Sequence, residues 1–175
     1  MTPYEIAKTY IGTTEGPGPQ NNPVIVQMYA TVGQDWVEHD SVAWCAAFVG
    51  HCVESAGLRS TRKLNARSYL NWGVPIELAD AQEGDIAIFT RGDPSGWQGH
   101  VGFFVRSAGT HIEVLGGNQN DQVSIARYPV TRLLGIRRWV EDEPVGAPAP
   151  VDEPKKPGLF AAIIAAILAI FRRKT

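Results

Sequence analysis

A change of hydrophobic period near Gly84 constrains this chain more than any other feature. Upstream of it the apolar residues recur at helical spacing, and downstream they alternate as in strands. Thr2 to Ile11 reads as a helix, with Thr2 as cap and Pro3 at the first helical position. Asn22-Pro23 opens a second helix through Ala30, after a Gly/Pro/Asn-rich loop from Gly16 to Pro23. A third helix is expected from Ser41 to Ala56, capped by Ser41 or Asp40 and closed by Gly57. Its apolar positions are Val42, Cys45, Ala46, Val49, Cys52, Val53 and Ala56. Five strand-like runs follow: Asp85 to Phe89, His100 to Arg106, His111 to Leu115, Val123 to Tyr128 and Leu133 to Val140. Helices first and strands after is the α+β order, with an antiparallel sheet packed on the third helix.

With 175 residues, 44% of them apolar, the chain can build one well-buried core but not two ordinary domains. A formal charge of −2 gives no global basic face for nucleic acid. Cys45 and Cys52 are two helical turns apart, so their Cα atoms lie roughly 10 Å from each other on one helix. That exceeds the ~7 Å reach of a disulfide, and both are expected to be free thiols. Met1 to Tyr10 has neither the basic nor the apolar region of a secretory signal.

Two segments carry chemistry. Asp40-Ser41-Val42-Ala43-Trp44-Cys45-Ala46-Ala47-Phe48 puts a cysteine near a helix start, where the dipole and free N–H groups favour a thiolate. Gly99-His100-Val101-Gly102-Phe103 puts a histidine at the head of a strand among glycines, with room to reach across to that helix. Together they are the parts of a thiol–imidazole nucleophile. His51 sits off the Cys45 face of the helix, and His111 reads as a surface residue. Cys52 reads as a core thiol. The imidazole needs a third group to fix its orientation. Asn118, in Leu115-Gly116-Gly117-Asn118-Gln119, is the favoured candidate on position; Glu113 is the second, and an ordinary turn asparagine is the structural alternative. Trp44 beside the cysteine, Tyr69, Trp72 and Trp97 are candidates for stacking on substrate, although core packing accounts equally well for Trp72.

These segments, with Gly84-Asp85-Ile86-Ala87-Ile88-Phe89, resemble CHAP-type and NlpC-type cysteine amidohydrolases, the papain-like enzymes of bacteriophage endolysins and bacterial wall hydrolases. The resemblance covers about residues 3 to 140, and a phage subgroup shares an equivalent of Glu15-Gly16-Pro17-Gly18 and Asn22-Pro23. It implies a papain-like fold, the nucleophile helix on an antiparallel sheet of five to six strands, and cleavage of an amide bond in peptidoglycan. By position it makes Cys45 the nucleophile, His100 the base and Asn118 the orienting residue. Many relatives have a glutamate two residues before the asparagine, where this chain has Gly116. There is no Asp/Asn-rich calcium loop near the helix, so neither metal nor cofactor is expected.

Beyond residue 140 the composition changes. Residues 141–157 read as an acidic, Pro/Ala-rich linker, and residues 158–175 as an apolar helix with the basic end Arg172-Arg173-Lys174. The apolar run Leu159 to Phe171 would span roughly 20 Å as a helix, short of a ~30 Å bilayer core. Its large residues form one stripe, and Ala161, Ala165 and Ala169 form a row suited to self-association. The expected partners are therefore peptidoglycan and, through residues 158–175, membrane lipid. The leading expectation is an endolysin made in a host cytoplasm and acting on the wall. A secreted toxin-like amidase and a non-catalytic wall-binding module on the same fold are the rivals.

Overall fold

The computed structural model describes residues 1–140; the linker and the apolar segment expected at 141–175 lie outside the described residues. Three helices precede a six-stranded antiparallel sheet, the α+β order implied by the sequence. Helix α1 (Pro3–Thr9) is closed by a capping box in which Thr2 accepts from the Glu5 N–H and Glu5 accepts from the Thr2 N–H. Helix α2 (Pro23–Thr31) is capped by Asn22, whose side chain accepts from the Val24 N–H.

Helix α3 (Cys45–Ser55) starts later than the expected Ser41, and neither Asp40 nor Ser41 caps it. Three competing bonds explain the delay. The Asp40 carboxylate is spent on the preceding loop, where Oδ2 accepts from the Gly16 N–H at 2.7 Å and the Asn22 N–H at 2.8 Å. The Val42 carbonyl accepts the Tyr29 hydroxyl at 2.6 Å, and the first helical bond runs from the Phe48 N–H to the Trp44 carbonyl. No side chain caps the helix start, so Cys45 is the first helical residue. The other end follows expectation: Gly57 is left-handed (φ +82°), with bonds from the Gly57 N–H to Glu54 and from the Leu58 N–H to Val53.

The strands are β1 (Val74–Ile76), β2 (Ile86–Thr90), β3 (Gly99–Ala108), β4 (His111–Gly116), β5 (Ser124–Pro129) and β6 (Leu133–Arg138). All five expected runs are strands. The short edge strand β1, interrupted by Pro75, gave no strand signal and pairs with β6 through Val74 to Ile76. Sheet order is β1-β6-β2-β3-β4-β5. In a flat sheet β5 and β6 would be four spacings, or about 19 Å, apart. Pro129 and Leu133 are only four residues apart, a reach of about 14 Å. The sheet must therefore curl. Its outer face packs Ile86, Ile88, Val101, Phe103 and Leu115 with α3, whereas Ala87, Phe89, Phe104, Ile112, Val114 and Ile136 form a second core inside the curl.

Among the described residues, no helix is long and apolar enough to cross a membrane. Asp40 offers the sharpest test of how the α3 start is set. It is buried, and it alone joins Gly16 and Asn22 through a single carboxylate oxygen. Asp40→Ala is expected to lower stability by about 2–3 kcal/mol, as two N–H donors lose a charged acceptor, and Asp40→Asn by less. Urea unfolding measures both; an unchanged midpoint in the alanine variant would refute this role.

Candidate active site

Cys45 lies at the N-terminus of α3 and is 4% exposed. The backbone N–H groups of Val101 in β3, of Ala46 and of Cys45 lie near its sulfur and favour the thiolate. Burial nevertheless pushes the thiol above its ordinary range, against the opposing pull of these donors and of the Arg91 charge. The helix start and the sheet are therefore joined at the residue that follows His100.

His100 is fully buried at the head of β3. Its ring stacks on Tyr128 at 4.8 Å between centroids, and Tyr128 stacks in turn on Phe89 at 4.9 Å. This column exists because the curl brings β5 over β2 and β3. Burial, then the nearby Arg91, lowers the His100 pKa to about 4, so the imidazole is neutral in the folded protein near pH 7. Nε2 lies 3.1 Å from Oε1 of Gln119. Nδ1 is buried and has no hydrogen-bond partner. The thiol thus lies near the residue that follows His100 on β3, and one ring nitrogen of the imidazole has no partner.

The side chain that meets the imidazole is not the one expected to do so. Asn118 has a left-handed backbone (φ +56°) and turns its amide away, donating to Glu15 Oε1 at 2.9 Å. That same oxygen accepts the Trp44 indole N–H at 2.8 Å. The next residue, Gln119, is the one that meets the imidazole. The turn that Gly-Gly-Asn signals was visible in the sequence; its effect on side-chain direction past Gly116 was not. Glu113, the second candidate, lies further along β4, where Arg127 and Arg106 from the flanking strands bind it and hold its carboxyl below the usual range.

The aromatic candidates separate cleanly. Trp44, Tyr69 and Trp72 are core residues, at 0, 0 and 2% exposure, and therefore do not line an open groove. Trp44 bonds Glu15, the Tyr69 hydroxyl donates to Ala46 carbonyl at 3.4 Å, and the Trp72 indole donates to Arg59 carbonyl. Trp97, in the β2–β3 loop ahead of His100, is 72% exposed. His51 bonds Tyr10 and Thr31 behind the helix, His111 is at the far end of β4 next to Thr110, and Cys52 is a buried free thiol. Sequence reasoning missed Gln119, Tyr128 and Arg91. Arg91 could have been suspected from register alone, since Phe89 pairs with His100 and Arg91 follows two residues on.

A buried thiol near backbone N–H groups, a neutral imidazole with a free nitrogen, and an uncapped helix start can together support nucleophilic attack on a carbonyl. Among the described residues, no three His, Cys, Asp or Glu side chains gather as a metal site.

Residues 37–118 match the family model of the CHAP domain. No curated protein matches the chain. A solved structure described as similar to a lipoprotein of the NLP/P60 family, from Staphylococcus aureus subsp. aureus Mu50, is similar at 17% identity and a TM-score of 0.47. The similarity covers 81% of this chain and 41% of that one, so the chain spans less than half the length of that protein. The stretch similar to the CHAP domain, residues 37–118, holds Cys45, His100 and Asn118.

Proposed function

We propose that this chain is a cysteine peptidoglycan hydrolase that cleaves an amide bond, with Cys45 as nucleophile and His100 as base. CHAP-type domains are cysteine-dependent peptidoglycan hydrolases, which supports peptidoglycan as the substrate class. The observation that supports the residue assignment is the unpartnered, buried Nδ1 of His100, one residue before the Val101 whose N–H lies near the Cys45 sulfur. In the proposed reaction Nδ1 takes the thiol proton as the sulfur attacks the amide carbonyl. The free N–H groups at the start of α3 receive the developing oxyanion. The imidazolium then protonates the leaving amine, and the C–N bond breaks to leave a thioester. Water, deprotonated by the same imidazole, attacks that thioester and releases the acid and the thiol.

The finer reading is an endolysin, in which residues 1–140 cut the wall and residues 158–175 attach to anionic lipid. Its support is compositional: an apolar run with Lys155-Lys156 before it and Arg172-Arg173-Lys174 after, beyond a Pro-rich stretch.

Turbidity of purified peptidoglycan, with mass analysis of the fragments, tests the enzyme reading and identifies the bond. Cys45→Ser is expected to reduce the rate by about a thousandfold or more with the fold intact, and Cys52→Ser to leave it unchanged. Lysis by the Cys45 variant together with a dead Cys52 variant would move the nucleophile.

The base works unprotonated, and burial and Arg91 disfavour its charged form. Its acid limb is therefore expected below the ordinary imidazole value of 6.5, with activity persisting as pH falls from 6.5 towards about 4 and lost as His100 protonates. A kcat/KM profile measures this, and an acid limb above 6.5 would contradict it.

Removing residues after Val145 is expected to leave hydrolysis of isolated peptidoglycan unchanged and to reduce co-sedimentation with anionic vesicles. Equal sedimentation of the two chains would exclude the lipid role without touching the enzyme.

A further inference from the structure

We propose that Gln119 is the positioning residue of this site, holding the ring proton of His100 on Nε2 through an amide that occupies the space Gly116 leaves open. The proposal rests on the reading of Cys45 and His100 as nucleophile and base.

The direction of the amide follows from its other contacts. Gln119 Nε2 donates to the Ser124 carbonyl and faces the Val114 carbonyl at 3.5 Å. Rotating the amide by 180° would set its oxygen against these carbonyl oxygens, so Oε1 must face the imidazole. An amide oxygen only accepts. The atom 3.1 Å away, His100 Nε2, must then carry the hydrogen, and Nδ1 keeps its lone pair. Gln119 is 5% exposed, which leaves little room for water to take over the contact.

Position 116 explains why this residue can do so. A Cβ on Gly116 would sit 3.1 Å from His100 Nε2 and 3.1 Å from Gln119 Oε1. A side chain there would wedge into the contact between them. Positions 116 and 119 thus compete for one space beside the ring, and in this chain the residue at 119 fills it. The two carbonyls further require an amide. A carboxylate at 119 would lose the donor and face the same oxygens, so Gln119→Glu is not a conservative change.

The test uses the full chain with 15N-labelled histidine and reads the imidazole nitrogens by NMR near pH 7, with His100 signals identified by their loss in His100→Ala. The expected result is a protonated Nε2 and an unprotonated Nδ1 in the unaltered protein. In Gln119→Met, which keeps the volume and removes the amide, the two nitrogens are expected to move towards averaged values. On peptidoglycan the same variant is expected to lose kcat by on the order of tenfold to a hundredfold with KM unchanged, and Gln119→Glu not to restore it. A proton on Nδ1 in the unaltered protein, an unchanged tautomer in Gln119→Met, or full activity in Gln119→Glu would overturn the proposal. The NMR result does not depend on hydrolysis. A chain that leaves peptidoglycan intact while holding the Nε2–H tautomer would therefore refute the enzyme reading and not the hydrogen bond.

Discussion

Everything in the site depends on how closely the start of α3 approaches the end of β4. A Cβ on Gly117 would lie 2.4 Å from the Trp44 ring and 2.7 Å from Phe48 Cβ, distances at which something must shift. With hydrogen at that position, the indole lies directly against the backbone, and its N–H still reaches Glu15. Phe48 packs edge-on against both Trp44 and Phe103 of β3. One aromatic wedge therefore holds the helix against two strands at once. Cys45, between Trp44 and Phe48 on the helix, is thereby held against the sheet near Val101. The burial of Trp44 is better understood as the cause of the site than as part of its binding surface.

The second constraint is the curl of the sheet. Strand β2 is buried along its whole length because one face meets α3 and the other looks into the curl. Closing the sheet carries Tyr128 over Phe89 and His100, although β5 is three strands away from β2 in the hydrogen-bonded order. Local pairing explains the strands, and the short β5–β6 connection explains the chamber in which the imidazole loses its water.

Much of this was legible in the residues, and the limits have physical causes. Helical and strand periods depend on burial, which dominates both elements, so the three helices, five of the six strands and the two free thiols could be read directly. The start of α3 could not. Asp40 has the right chemistry for a cap, and only the tertiary structure shows its oxygen already taken by Gly16 and Asn22. The placement of Cys45 at a helix start and of His100 at a strand head was readable because it depends on coarse elements. The third group was not, because one left-handed residue decides which of two neighbouring amides faces the ring. Trp72 and Tyr69 failed as surface candidates for a related reason: an aromatic beside a motif has the same composition signature whether it faces the core or the cleft.

The stacked column has one more consequence. In the proposed attack on an amide the imidazole would carry a full positive charge in a place that excludes water, where an isolated cation is strongly disfavoured. The electron-rich face of Tyr128, 4.8 Å from the ring and only 15° from parallel, supplies negative quadrupole density at that spot. It does so without offering a competing proton acceptor, as a carboxylate would. Under that proposal the aromatic ring that dries the chamber would also be its counter-charge, present only in partial form and felt most when the charge is there.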